Sequence, residues 1–134
     1  MKKLITVLLV GIYLLLVGCS SEIRPILAGG YQSEIGNDGY IIQLGVQPDD
    51  QTFSLYIDNR EVDRGTYEMK SEGSYLLKSA NREFDINLTK ENSVEIVINQ
   101  LNNKEPIELK NISKTPIYFT TEFDDLKEYE KLLD

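Results

Sequence analysis

The chain has 134 residues, enough for one domain that buries about two-thirds of its unfolded surface. Its 22 acidic side chains outnumber its 14 basic ones, and this excess repels nucleic acid and anionic lipid headgroups but could attract a cationic protein. Histidine is absent and cysteine occurs once, so the usual ligand sets for zinc, copper and haem are missing. We therefore expect no metal, no cofactor and no nucleic-acid partner.

The first 18 residues have the pattern of a secretory signal. Lys2 and Lys3 precede an apolar run, Leu4 to Val17, that is shorter than the roughly 18 residues that suggest a membrane span. The run ends in Leu16-Val17-Gly18-Cys19, which resembles the lipobox of bacterial lipoproteins. The resemblance implies that the Cys19 thiol carries diacylglycerol and that the chain is cut before it. A transmembrane helix and an uncut signal anchor are the alternatives.

Such cleavage would make residues 19–29 a short tether, because Ser20, Ser21, Pro25 and Gly29 disfavour regular structure. It would remove two lysines and no acidic residue, so 12 basic and 22 acidic side chains would remain and the formal charge would become −10. The lipid would hold the protein on the extracytoplasmic face of the cell membrane. The abundance of Asn, Ile, Lys and Glu resembles that of low-GC, Gram-positive bacteria.

After the tether, apolar and polar residues alternate. The clearest case is Phe84, Ile86 and Leu88, a period that is typical of half-buried strands. Turn-forming clusters such as Gly36-Asn37-Asp38-Gly39, which suits a tight hairpin, separate the runs. The pattern predicts eight strands near residues 30–35, 40–47, 52–58, 62–69, 74–79, 82–89, 93–99 and 105–111, and leaves a ninth run, Pro116 to Thr120, open.

The last segment changes to a helical period. Phe123, Leu126, Tyr129 and Leu133 recur at intervals of three and four, and Thr121 can cap a helix. This spacing predicts one helix near 122–133, packed on the sheet or over one end of a barrel.

Short loops favour strands that pair in chain order, so the strands should form an up-and-down meander rather than a Greek key. Closing the meander removes both exposed sheet edges. The predicted fold is therefore all-β, an eight-stranded up-and-down antiparallel barrel with a C-terminal α-helix in a single domain over residues 30–134. Such a barrel is either filled by side chains or holds one small ligand, and the sequence leaves both outcomes open.

This layout resembles the small lipocalin-like (calycin) barrels over about residues 29–133. Gly29 and Tyr31 stand where that family has its Gly-x-Trp signature, and the resemblance implies that they close one end of the barrel. The chain departs from the family in two ways. No arginine follows Arg82 to pack on the aromatic ring, and the usual disulfides are absent.

The resemblance implies a membrane-anchored binding module for a small apolar or amphipathic ligand. Tyrosines inside a barrel offer apolar walls and a hydroxyl for a ligand head group, although they also serve as ordinary core residues. Strand alternation places the following candidate ligand-binding residues inside: Tyr40, Leu44, Phe53, Leu55, Tyr67, Phe84, Ile86 and Ile96.

The alternative is a filled barrel whose acidic surface binds a protein, as an immunity or inhibitor module would bind a cationic toxin or lytic enzyme. We expect no enzymatic activity, because the chain offers no nucleophile–base set. The adjacent carboxylates at Asp49-Asp50 and Asp124-Asp125 fit a turn and a helix start better than acid–base catalysis.

Overall fold

The computed structural model describes residues 24–134. The predicted signal peptide, Cys19 and the tether up to residue 23 lie outside the described residues. The strands are β1 (Gly29–Gln32), β2 (Ile42–Gln47), β3 (Thr52–Ile57), β4 (Arg60–Ser71), β5 (Ser74–Ser79), β6 (Glu83–Leu88), β7 (Ser93–Ile96) and β8 (Ile107–Ser113). One short helix, α1 (Leu126–Glu130), and two 3₁₀ turns, Asn102–Lys104 and Lys131–Leu133, complete the described elements.

The eight strands form a closed barrel in which each strand pairs antiparallel with its neighbour in the chain. β1 also pairs with β8, through Tyr31 opposite Asn111, and this pairing closes the sheet. The predicted all-β, up-and-down barrel with a C-terminal helix is thus confirmed. β3 and β4 are joined by a two-residue turn in which Asp58 and Asn59 both have positive φ, so β4 begins earlier than the sequence pattern indicated.

The run Pro116 to Thr120 forms no strand, because a closed barrel has no free edge for a ninth strand to join. It lies across the outer face instead. A side chain on Gly30 would collide with the Ile117 side chain, and one on Gly45 would lie 2.7 Å from the Ile117 carbonyl oxygen. Residues 114–120, here called the strap, therefore pack closely against β1 and β2 at two glycines that have no side chain in the way.

The C-terminal helix is shorter than predicted. It begins at Leu126 rather than near residue 122, and it continues as a 3₁₀ turn to Leu133. Thr121 does not cap it. The ring of Phe119 packs edge-on against Tyr56 and that of Phe123 lies under a guanidinium from β4, which explains why residues 119–123 run along the barrel wall instead of winding into a helix.

The chain connections define two ends of the barrel. We call the end where β1 begins the tether end, and it carries residues 24–28 and the connections 48–51, 72–73 and 89–92. The far end carries the connections 33–41, 58–59, 80–82 and 97–106 together with the C-terminal helix, and α1 packs against the start of β4.

Candidate functional site

The residues that the sequence predicts as ligand-binding lie together inside the barrel. Seven of the eight belong to one buried hydrophobic cluster, and Leu44, Leu55 and Ile86 have no exposed area. Tyr40 lies before β2 and is only partly buried, packed against that cluster. These side chains contact one another in the core, as the side chains of a filled barrel do. Their role in ligand binding therefore stays a prediction.

Tyr31 joins the parts of the tether end. Its side chain is fully buried, and its hydroxyl accepts a hydrogen bond from the Ala28 amide at 3.1 Å and donates one to the Asn92 side chain at 3.4 Å. Gly29, two residues earlier, has φ +94° and packs so closely on the Ser113 carbonyl that no side chain fits. Tyr31 therefore ties residues 24–28 to the turn between β6 and β7.

Two more tyrosines stand beside Tyr31. The rings of Tyr67 and Tyr75 meet edge-to-face with centroids 6.1 Å apart. Burial raises the pKa of the Tyr31 and Tyr67 phenols above the ordinary value of 10.0. Both phenols are therefore neutral at physiological pH, and the Tyr31 hydroxyl keeps the proton that it donates.

Both ends of the barrel are covered. Residues 24–28 cross the tether end from β1 to the turn between β4 and β5, where Arg24 pairs with Glu72 at 3.1 Å and Leu27 is 1% exposed. The C-terminal segment covers the far end: Leu133 is buried, and the Leu132 carbonyl accepts a hydrogen bond from the Gln100 amide. The interior is thus enclosed by packed side chains along its wall and at both mouths.

Arg60 fixes the C-terminal segment to the barrel. Its guanidinium makes two parallel hydrogen bonds to Asp125, at 2.8 and 2.9 Å, and lies 4.0 Å from the centre of the Phe123 ring and 4.2 Å from that of Tyr129. Asp125 in turn raises the pKa of Arg60, and Arg60 lowers the pKa of the Asp125 carboxyl. In the sequence, the one sign of this role for Arg60 is its position directly after the Asp58-Asn59 turn.

A cavity of about 190 Å³ opens at the far end between the connection 33–41 and residues 101–108. We call it the loop cleft. Ile35, which is 69% exposed, lies at its edge. The apolar side chains that line it are Ile35, Tyr40, Ile42, Leu101, Pro106 and Ile107.

Three carboxylates stand around this apolar surface, from Glu34, Asp38 and Glu108. Asp38 accepts a hydrogen bond from the Asn102 amide at 2.8 Å, which ties the two walls of the cleft together. Within residues 24–134 the Glu34 carboxylate lies 3.9 Å from the Lys110 ammonium, whereas Glu108 forms no ion pair and lies directly opposite Glu95 on β7. Like charges opposed across two strands are unfavourable, so a cation bound in the cleft would relieve this repulsion.

The tight turn predicted at Gly36-Asn37-Asp38-Gly39 is present, because the Gly39 amide donates a hydrogen bond to the Gly36 carbonyl at 2.9 Å and Gly39 has φ +85°. The sequence pattern did not indicate the loop cleft beside this turn, because β1 ends at Gln32 and β2 begins only at Ile42. The connection is nine residues long, and its turn closes from the Gly36 amide to the Tyr40 carbonyl. Of the residues predicted for ligand binding, only Tyr40 lines the cleft. The exposed Ile35 between Glu34 and the glycine was the one available signal, since a branched apolar residue is unusual in a polar turn.

Residues 24–134 contain no group of three or more acidic, histidine or cysteine side chains arranged to hold a metal ion. In the same part of the chain, no helix is both long enough and apolar enough to cross a bilayer.

The fold places the chain among all-β proteins with a closed, eight-stranded up-and-down barrel, and it is compatible with a lipocalin-like fold. No protein-family model matches the sequence. Searches of curated proteins and of solved structures likewise give no match. The function therefore has to be argued from the barrel and its surface.

Proposed function

We propose that the protein is a lipoprotein, anchored through Cys19 to the extracytoplasmic face of the cell membrane, that binds a basic protein segment in the loop cleft and has no catalytic activity. The observation that carries this proposal is the cleft itself, a concave apolar surface with carboxylates on its rim. Its volume of about 190 Å³ is below the roughly 300 Å³ at which small-molecule sites begin, and it suits a single inserted side chain.

Lysine and arginine have the chemistry that matches this cleft. Their aliphatic stems pack on apolar surface while the charged head stays at a polar edge. The surroundings have the complementary sign, because the far-end segments 33–41, 58–59, 80–82, 97–106 and 121–134 hold ten acidic and four basic residues. This charge favours fast encounter with a cationic partner.

A ligand inside the barrel is the second candidate, and the packing supports it less. Leu44, Leu55 and Ile86 are fully buried among other side chains, and both mouths are covered. A ligand there would have to displace well-packed core side chains. A stoichiometric lipid adduct on the folded protein in native mass spectrometry, after incubation with envelope lipids, would favour this candidate over the cleft.

The cleft is tested with a fluorescein-labelled decapeptide in which lysine and alanine alternate, titrated onto the full chain in detergent and followed by anisotropy. Glu34→Gln/Glu108→Gln is expected to weaken binding by roughly tenfold, because two of the three rim carboxylates lose their charge. Raising the salt from about 0.05 to 0.5 M should weaken binding to the unsubstituted protein as well, since the Debye length shortens.

Glu91→Gln/Asp49→Asn is the matched control, because it removes the same charge at the tether end. The affinity of this control for the peptide should stay within about twofold of that of the unsubstituted protein, because the charges it removes are far from the cleft and screened by salt. Equal weakening by both double variants would refute a specific cleft, and so would equal binding of a peptide with glutamate in place of lysine.

A further inference from the structure

Exposed apolar side chains collect at the tether end. Six large hydrophobic side chains are exposed in residues 24–134, and three of them lie at this end. Ile26 is 77% exposed on the segment that crosses the mouth, and Met69, 64% exposed, pairs with Tyr75 and so lies on the mouth side of β4. Ile112, 54% exposed, stands next to the end of β8.

Ile26 is held in place rather than carried on a loose chain. Its neighbour Leu27 is buried in the mouth, and Arg24 is paired with Glu72 across the barrel. The Tyr31 hydroxyl holds the Ala28 amide on the other side. The segment therefore holds Ile26 with its side chain facing outward. An isoleucine side chain exposed in this way contributes little to the stability of the fold.

The charge of the two ends differs. The tether-end segments 24–28, 48–51, 72–73, 89–92 and 114–115 carry three basic and four acidic residues, whereas the far-end segments carry four basic and ten acidic. An anionic bilayer repels an acidic surface. Of the two ends, the tether end is thus the one that can approach such a bilayer at little electrostatic cost.

We propose that the tether end lies directly against the bilayer, with Ile26 and Met69 in the headgroup layer and the loop cleft facing away from the membrane. The proposal rests on the lipid anchor at Cys19 given above. From Cys19 to Arg24 the chain can span at most about 18 Å. A six-residue strand of the barrel is about 20 Å long, so the lipid anchor cannot be farther from the tether end than about the height of the barrel. The anchor holds this end close, and the apolar side chains fix its orientation.

The absence of tryptophan makes a clean test available. Ile26→Trp, Met69→Trp and, as the matched control, Ile35→Trp each place a single tryptophan at an exposed apolar position. The full lipidated chains are incorporated into phosphatidylcholine–phosphatidylglycerol vesicles that contain a lipid brominated near the headgroup. We expect quenching several-fold stronger at positions 26 and 69 than at position 35, with emission shifted to the blue.

The outcomes separate this inference from the anchor. Chains that float with the vesicles but show equal, weak quenching at all three positions would overturn the membrane contact and leave the anchor standing. Chains that do not float with the vesicles would overturn the anchor and the contact with it. A chain that begins at Ser20, and so lacks both the apolar run and the acylated cysteine, gives the baseline for flotation.

Hydrogen exchange on the chain without tryptophan provides a second measurement. Amides in residues 24–28 should exchange more slowly in the vesicle-bound protein than in the chain that begins at Ser20, in solution, while amides in the connection 33–41 should not change. Equal exchange in residues 24–28 would contradict the contact, even if the introduced tryptophans were quenched, because tryptophan itself favours the interface.

Discussion

Replacing Gly65 with alanine is expected to lower the free energy of unfolding by about 3 kcal/mol or more, an effect at the upper end of overpacking substitutions. Gly65 lies on β4 between Phe53 of β3 and Ser79 of β5. A β-carbon there would overlap the backbone carbonyl of Lys78. Because the obstacle is backbone rather than a flexible side chain, β4 and β5 would have to separate, and the barrel cannot open at one pair without straining its neighbours.

Gly36→Ala is the control for this experiment. Gly36 has ordinary φ, and the nearest atom to an added β-carbon is the Tyr40 carbonyl oxygen at 3.8 Å, a normal contact. Its stability should change by less than about 0.5 kcal/mol. Urea unfolding monitored by tyrosine fluorescence measures both variants, and a Gly65→Ala midpoint equal to that of Gly36→Ala would show that the β4–β5 spacing at Gly65 is not as described.

The strands could be predicted because a half-buried strand leaves its period in the sequence. Phe84, Ile86 and Leu88 are buried while their neighbours on β6 are exposed, as alternation requires. Tyr56 shows where that signal ends. It belongs to the outer face of β3, yet it is 1% exposed because Phe119 of the strap covers it. Alternation assigns a face, but it does not show what later covers that face.

The closure of the barrel and the filling of its interior could not be predicted from the local pattern of apolar and polar residues. The β1–β8 pairing joins residues such as Tyr31 and Asn111, which are 80 positions apart in the chain, and nothing near either residue specifies that register. Whether the interior is filled depends on Leu27 and Leu133, which come from the two ends of the described chain. The loop cleft likewise needs two connections, 33–41 and 97–106, to come together.

Arg60→Met is expected to lower the melting temperature by roughly 5–10 °C, because it removes a bidentate ion pair and two cation–π contacts at one site. The Arg60 side chain is 16% exposed and Asp125 is 38% exposed, so solvent screens this pair only partly. Hydrogen exchange should also become faster across residues 126–133. The melting temperature of Arg60→Lys should lie between those of the unsubstituted protein and Arg60→Met, since an ammonium keeps the charge but cannot make the two parallel hydrogen bonds of a guanidinium.

The pair also gives stability a pH dependence of known sign. Arg60 holds the pKa of Asp125 below its ordinary value of 3.8, so the carboxylate is favoured in the folded protein. The stability that Asp125 adds over Asp125→Asn should be constant above about pH 5 and vanish as the pH falls through the lowered pKa. A difference that persists unchanged to pH 2 would show that charge pairing is not its source.

Lys70 and Asp85 provide the matched comparison. Their ion pair is equally short, at 2.8 Å, but the two side chains are 48% and 71% exposed. Asp85→Asn should therefore change the melting temperature by less than about 2 °C, since exposed pairs contribute little. Loss of the Arg60 contacts should also affect the proposed binding site, because Tyr129 of α1 packs edge-to-face on Tyr40, which lines the loop cleft. Arg60→Met should thus weaken binding of the lysine peptide, and Asp85→Asn should not.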